Sequence, residues 1–187
     1  MKVKFKKLHE GAKLPEKATE GSAAYDLYVA KDFIVEPGRQ IIPLGFAMEM
    51  KQGYEALIDP RSGFSSKGME GHEVITRSVE GPLGHWMAGG RIDTEALSMH
   101  LRDEPRQYVA FKAERFDCDV IEGKIDSDYR NGVGVIVHNR GRRTFLIKAG
   151  TRIAQMTFHK VETVEWEETD ELSQTDRDGG FGSTGTK

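Results

Sequence analysis

Gly123-Lys124-Ile125-Asp126-Ser127-Asp128-Tyr129-Arg130 sets a carboxylate and an aromatic ring three residues apart on what reads as a hairpin. Outward from it, short runs of alternating or β-branched residues recur at 3–8, 25–29, 33–35, 40–50, 54–58, 133–138, 144–147 and 152–158, and such runs read as strands. Glu36-Pro37-Gly38, Gln52-Gly53, Asp59-Pro60, Asn139-Arg140-Gly141 and Ala149-Gly150 separate them, with Pro presetting φ and Gly supplying left-handed geometry. The pattern predicts an all-β, mostly antiparallel sandwich or barrel.

The 187 residues suit one domain with a sizeable core, and a formal charge of -3 gives no basic footprint for displacing counterions from duplex phosphates. Nucleic acid is therefore not an expected partner. Cys118 is the only cysteine, so neither an intrachain disulfide nor a thiolate zinc site is expected. His72, His85, His100 and Cys118 are spaced too widely and irregularly for a metal cluster, and Gly132-Val133-Gly134 lacks the strand-to-helix context of a dinucleotide loop. The start of the chain has no apolar signal region, and no apolar run is long enough to cross a bilayer. A soluble, cytoplasmic protein away from membranes is the expectation.

Four further segments accompany the hairpin: Ala23-Ala24-Tyr25-Asp26-Leu27, Pro60-Arg61-Ser62-Gly63, Gly150-Thr151-Arg152-Ile153-Ala154-Gln155-Met156, and Arg177-Asp178-Gly179-Gly180-Phe181-Gly182-Ser183-Thr184-Gly185. In this order, with the hairpin third, they resemble the five motifs of the trimeric dUTPase family. The resemblance covers residues 1–68 and 120–187 and implies a distorted jelly-roll barrel, a homotrimer, and hydrolysis of dUTP to dUMP and pyrophosphate. That activity keeps uracil out of DNA and supplies dUMP for dTMP synthesis. Two departures stand out: Ala24 replaces the usual Gly, and Arg177 to Phe181 is one residue shorter than the commonest spacing.

Hydrolysing a phosphoanhydride needs a base for water, a cation to spread phosphate charge, and donors around the triphosphate. By resemblance, Asp126 is the base that activates water against the α-phosphorus. Tyr129 would lie against the deoxyribose, leaving no room for a 2′-hydroxyl. Backbone groups along residues 120–134, including those of Val120, Lys124, Ile125 and Gly134, would form the uracil slot. There a wrong base leaves buried donors unpaired. Arg61, Ser62 and Gly63 would meet phosphate oxygens, with Gln155 donating to the phosphates or bracing that turn. Asp26 would hold Mg²⁺ through water. In the last motif Arg177 would clamp the γ-phosphate, Phe181 would stack on uracil, and Gly182, Ser183 and Thr184 would donate to phosphates.

Residues 69–117 read as an insertion within the single 1–187 domain, a small α/β segment with a helix over 95–101 and a strand at 108–111 returning to the barrel. Leu83, Trp86 and Met87 among glycines suggest an apolar patch for a protein partner, and a short linker in place of 69–117 is expected to leave a folded barrel. Residues 172–187, poor in apolar side chains, read as a flexible arm following a solvated acidic run. Two other readings remain open from the residues: a dCTP deaminase on the same fold, and a regulatory binding protein that uses the insertion.

Overall fold

The computed structural model describes residues 1–77, 98–99 and 107–176. In chain order its first elements are β1 (Lys4–Lys7), β2 (Tyr25–Tyr28), β3 (Phe33–Val35), β4 (Gly38–Glu49), β5 (Tyr54–Asp59) and helix α1 (Ser62–Lys67). There follow β6 (Met69–Arg77), β7 (Ser98–Met99), β8 (Gln107–Phe116), β9 (Cys118–Ile121) and β10 (Gly123–Ile125). The last three are β11 (Gly132–Asn139), β12 (Phe145–Ile147) and β13 (Arg152–Lys160). Three sheets result, with orders β1-β4-β11-β9, β10-β5-β13-β2 and β3-β12-β6-β8-β7, and every ladder is antiparallel. Most neighbours in these sheets are distant in sequence, and the all-β distorted jelly-roll barrel is thus closed by long-range pairing.

Alternation decides which face each strand buries. Along β11, Val133, Val135 and Val137 point inward to meet Ile42, Leu44 and Phe46 of β4 in one continuous core. On β13, Ala154 and Met156 join that core, while Gln155 and Thr157 face the other way.

The segment expected as an insertion begins and ends inside the barrel. β6 pairs with β12 as well as with β8, and Met69 and Phe116, paired across that hairpin, are both buried. Phe116 stacks on Phe145 of β12 at 4.2 Å between centroids. Burying side chains of this size is worth about 1.5–3 kcal/mol each, so the limbs of the hairpin are structural strands and the boundaries 69–117 are too wide. The strand expected at 108–111 lies within the longer β8. Of the helix expected at 95–101, the described residues Ser98 and Met99 form a strand paired with Val109 and Tyr108. Edge pairing on β8 outweighed the helical spacing of Leu97 and Leu101; those two, and the patch of Leu83, Trp86 and Met87, lie outside the described residues.

The helix α1 replaces what the sequence suggested was only a turn. Arg61 is still extended, and its carbonyl accepts from the N–H of Phe64 and Ser65 to start the helix. Gly68 ends it at φ 79°, donating to Phe64 O at 2.8 Å. A Cβ there would lie 2.5 Å from Phe116 O, so both the positive φ and the approach of β8 demand glycine.

Candidate active site

Four of the five motifs meet the sheet β10-β5-β13-β2. Gln155 on β13 is the cross-strand partner of both Asp26 on β2 and Asp59 on β5. Cross-strand partners share a face. This face therefore carries Asp26, Gln155 and Asp59 in a row, with Thr157, Glu55 and Lys124 further along, while Met156, Ile58 and Ile125 fill the core behind it.

Asp26 is 8% exposed, and each of its oxygens is paired with a guanidinium. Arg61 Nε lies 3.0 Å from Oδ1, and Arg152 Nη1 lies 3.0 Å from Oδ2. The Arg61 Nη1 also donates to Arg152 O at 3.3 Å, locking the second and fourth motifs together. Two guanidiniums on one carboxylate leave an excess positive charge. The structure brings Asp26 of the first motif and Arg61 of the second together, and adds Arg152, to which the sequence reading gave no role and whose only signal was its place at the start of the fourth motif.

Arg61 and Arg152 line a cleft of about 550 Å³ together with Gly63 and Lys67 of α1, Glu70 of β6 and Arg115 of β8. Ser62 and Gly63 are exposed in the first turn of α1. Their hydroxyl and amides are accessible to an anion, and the arginines beside them supply charge-assisted donors.

The hairpin of the third motif is shaped by its own backbone. Tyr129 N–H donates to Asp126 O at 3.1 Å, and Tyr129 Oη donates to Gly132 O at 3.1 Å, holding a ring that is 39% exposed. Arg130 caps the turn by donating to Ser127 O and Tyr129 O. Val120 and Ile125 point inward, so only their main chain is presented. Gly134 lies opposite Pro43, which has no N–H to give, beside a ladder irregularity, and a Cβ on it would meet Ile41 Cγ2 at 2.6 Å. Lys124 Nζ is 2.5 Å from Glu55 Oε2, and that hydrogen bond holds its ammonium above the ordinary range.

Asp126 is exposed and is not among the residues lining the cleft. Lys124 pairs with Leu57, so Asp126 extends toward Glu55, away from Asp59. On an ideal flat sheet, three strand spacings and four residues of rise correspond to about 20 Å from Asp26. Arg177, Phe181, Gly182, Ser183 and Thr184 lie outside the described residues.

For magnesium, the donor set is informative. Among the described residues no group of three or more His, Cys, Asp or Glu side chains forms a cage. Each Asp26 oxygen, having accepted one guanidinium bond, keeps capacity for a water. The site fits a hydrated cation carried on phosphates, not one ligated by protein alone.

The β-barrel thus sets an anion cleft of arginines beside a carboxylate row, with an aromatic hairpin on the same sheet. The family model described as dUTPase matches residues 10–88 and 113–185. The monkeypox virus deoxyuridine 5'-triphosphate nucleotidohydrolase is 33% identical over 99% of this chain and 91% of its own length. Among solved structures, the Staphylococcus bacteriophage 80alpha dUTPase with dUPNHPP covers 99% of both chains at 21% identity and a TM-score of 0.68, showing the shared fold. A dUTPase of S. aureus phage phi11 that coordinates a structural Mg(II) ion covers 92% of this chain and 99% of its own at 19% identity, TM-score 0.61. The chain belongs to the dUTPase family, and its activity is hydrolysis of dUTP to dUMP and pyrophosphate. Residues 89–112 fall between the matched segments, a narrower interruption than 69–117.

Proposed function

We propose that the chain acts as a Mg²⁺-assisted homotrimer in which each catalytic centre takes Asp126 from one copy and the Asp26, Arg61 and Arg152 cluster from another. The observation that carries this reading is the sheet register, in which Asp126 continues β10 toward Glu55 while Asp26 lies level with Asp59 on the far strand, an ideal-sheet separation of about 20 Å. A second copy supplies what one chain cannot bring together.

In this reading the Asp126 carboxylate takes a proton from water as its oxygen bonds to the α-phosphorus. The bond from that phosphorus to the α,β-bridging oxygen breaks, and pyrophosphate leaves with the electron pair. Ser62, the Gly63 amide and the Arg61 guanidinium hold phosphate oxygens, and Gln155 braces the row between Asp26 and Asp59. When bound, Mg²⁺ neutralises phosphate charge, and Asp26 orients its water shell. Tyr129 packs on the deoxyribose and excludes ribose, while main-chain groups from Val120 to Gly134 read uracil. The segment Arg177 to Thr184 covers the phosphates.

Cellular consequences follow from the activity: uracil is kept out of DNA, and dUMP is made available for dTMP synthesis. The reading places the enzyme in the cytoplasm; no described helix is long and apolar enough to cross a membrane.

The test is pyrophosphate release from dUTP, UTP, dCTP and the other common dNTPs, with ammonia followed in parallel. Rapid release from dUTP alone is expected, with Asp126→Asn losing about 10²–10⁴-fold in turnover. Ammonia from dCTP, or an undiminished Asp126→Asn rate, would overturn the reading.

A further inference from the structure

The cleft beside the second motif is lined by more cations than the motifs account for. Arg61 and Arg152 share Asp26, but Lys67 at the end of α1 and Arg115 on β8 add two further positive charges. Among the described residues, Glu70 is the one carboxylate in the lining. With Asp26 included, four cations face two carboxylates, an arrangement whose mutual repulsion an anionic ligand relieves.

Arg115 is also held in place. Its Nη2 lies 2.8 Å from Glu70 Oε2, and its Nη1 donates to Gly68 O at 3.2 Å. Only two of the five guanidinium N–H donors make these contacts, which leaves others for a ligand in the cleft. The side chain is 44% exposed, so its charge is reachable without a rearrangement. Register fixes the position as well: Arg115 faces Glu70 across the β6–β8 hairpin, next to the buried Met69–Phe116 pair. A guanidinium clamped at one edge, on a strand locked into the core, is preorganised for a polyanion.

We propose that Arg115 and Lys67 are substrate-binding residues that take the terminal phosphates of dUTP and, after cleavage, the pyrophosphate product. Gly63 belongs to both the phosphate-binding turn and the cleft, so a triphosphate seated on that turn extends toward them. In this seat a nucleoside monophosphate, which has no terminal phosphates, would not engage Arg115. The two residues thus discriminate substrate from the dUMP product by charge at the distal end. This inference rests on the proposed phosphate seat at Arg61, Ser62 and Gly63.

Calorimetry on the full-length protein tests it with three probes: inorganic pyrophosphate, a non-hydrolysable α,β-imido analogue of dUTP, and dUMP. Losing a charge-assisted hydrogen bond should weaken the first two at least about tenfold in Arg115→Ala and in Lys67→Ala. Binding of dUMP should stay within about twofold, and Arg115→Lys should fall between. Because Arg115 also braces Gly68, circular dichroism and urea unfolding accompany each variant. Should Arg115→Ala fail to fold, Arg115→Lys and Lys67→Ala carry the test. Unchanged pyrophosphate binding, or equal losses for pyrophosphate and dUMP, would overturn the inference and leave Arg115 a brace. A wild-type protein that bound neither dUMP nor the analogue would instead defeat the functional reading.

Discussion

Asp26 shows how a residue can be singled out by its motif while its surroundings stay hidden in the sequence. Its motif marked it, but the guanidiniums on its two oxygens come from Arg61 and Arg152, far away along the chain, and no local spacing encodes that meeting. Asp26→Asn removes the shared charge from both and should cost about 1–3 kcal/mol in urea unfolding. Arg152→Met, at a side chain 48% exposed, should cost under about 1 kcal/mol. The reverse order would mean that the carboxylate is not the hub. Cys118 yields a pH prediction. Burial pushes its thiol up to about 12, with the charges of Asp119 and Asp117 adding to the shift. The unfolded chain releases this proton near its ordinary pKa of about 8.5, so between there and about 12 the folded state binds more protons and stability falls with rising pH. Cys118→Ala should flatten that part of the urea-stability profile, and wild-type Cys118 should resist alkylation at pH 8 until unfolded. Fast labelling of native protein would contradict the burial.

At the scale of elements, legibility followed alternation. β4, β11 and β13 announce themselves because one face is buried and the other wet. β6 and β8 were harder to read, because β6 carries Gly71 and His72 inside a mixed polar run and its partner comes after a long gap. Gly71 is there because a Cβ would collide with Phe145 at 2.4 Å, a tertiary reason that no period reveals. The same packing changes what a deletion should do. Joining Arg77 to Gln107, which are cross-strand partners, through a tight two-residue turn keeps both limbs and should give a folded protein with near-normal melting. Replacing 69–117 removes Met69 and Phe116, unstacks Phe145, and should yield insoluble chain. If the shorter excision leaves KM and kcat for dUTP unchanged, the excised residues are dispensable for catalysis, as the docking expectation requires; a shift in both would overturn that expectation. A soluble, active 69–117 deletant would show that the limbs are dispensable after all.

At the scale of the whole molecule, the sequence displayed every motif, but their spatial sorting needed the sheet register. Register places the arginine cluster and Gln155 at one end of a sheet face and Asp126 beyond Lys124 and Glu55 at the other, about 20 Å apart on an ideal sheet. An isolated subunit should therefore bind dUTP poorly and turn it over slowly. Mixing two crippled proteins separates a shared site from a self-contained one. On the proposed roles, Asp126→Asn lacks the base but retains the phosphate cluster, whereas Asp26→Asn combined with Arg61→Ala lacks the cluster but retains the base. If copies exchange in solution, some mixed trimers assemble a centre with Asp126 from the second protein and an intact Asp26, Arg61 and Arg152 from the first. Activity should then rise well above either parent, following subunit exchange in time and disappearing when exchange is blocked by cross-linking. Native mass spectrometry of the mixture would verify that hybrids form. Verified hybrids with no recovery would place base and cluster on the same chain, and the sheet would then have to bend far from the register seen here.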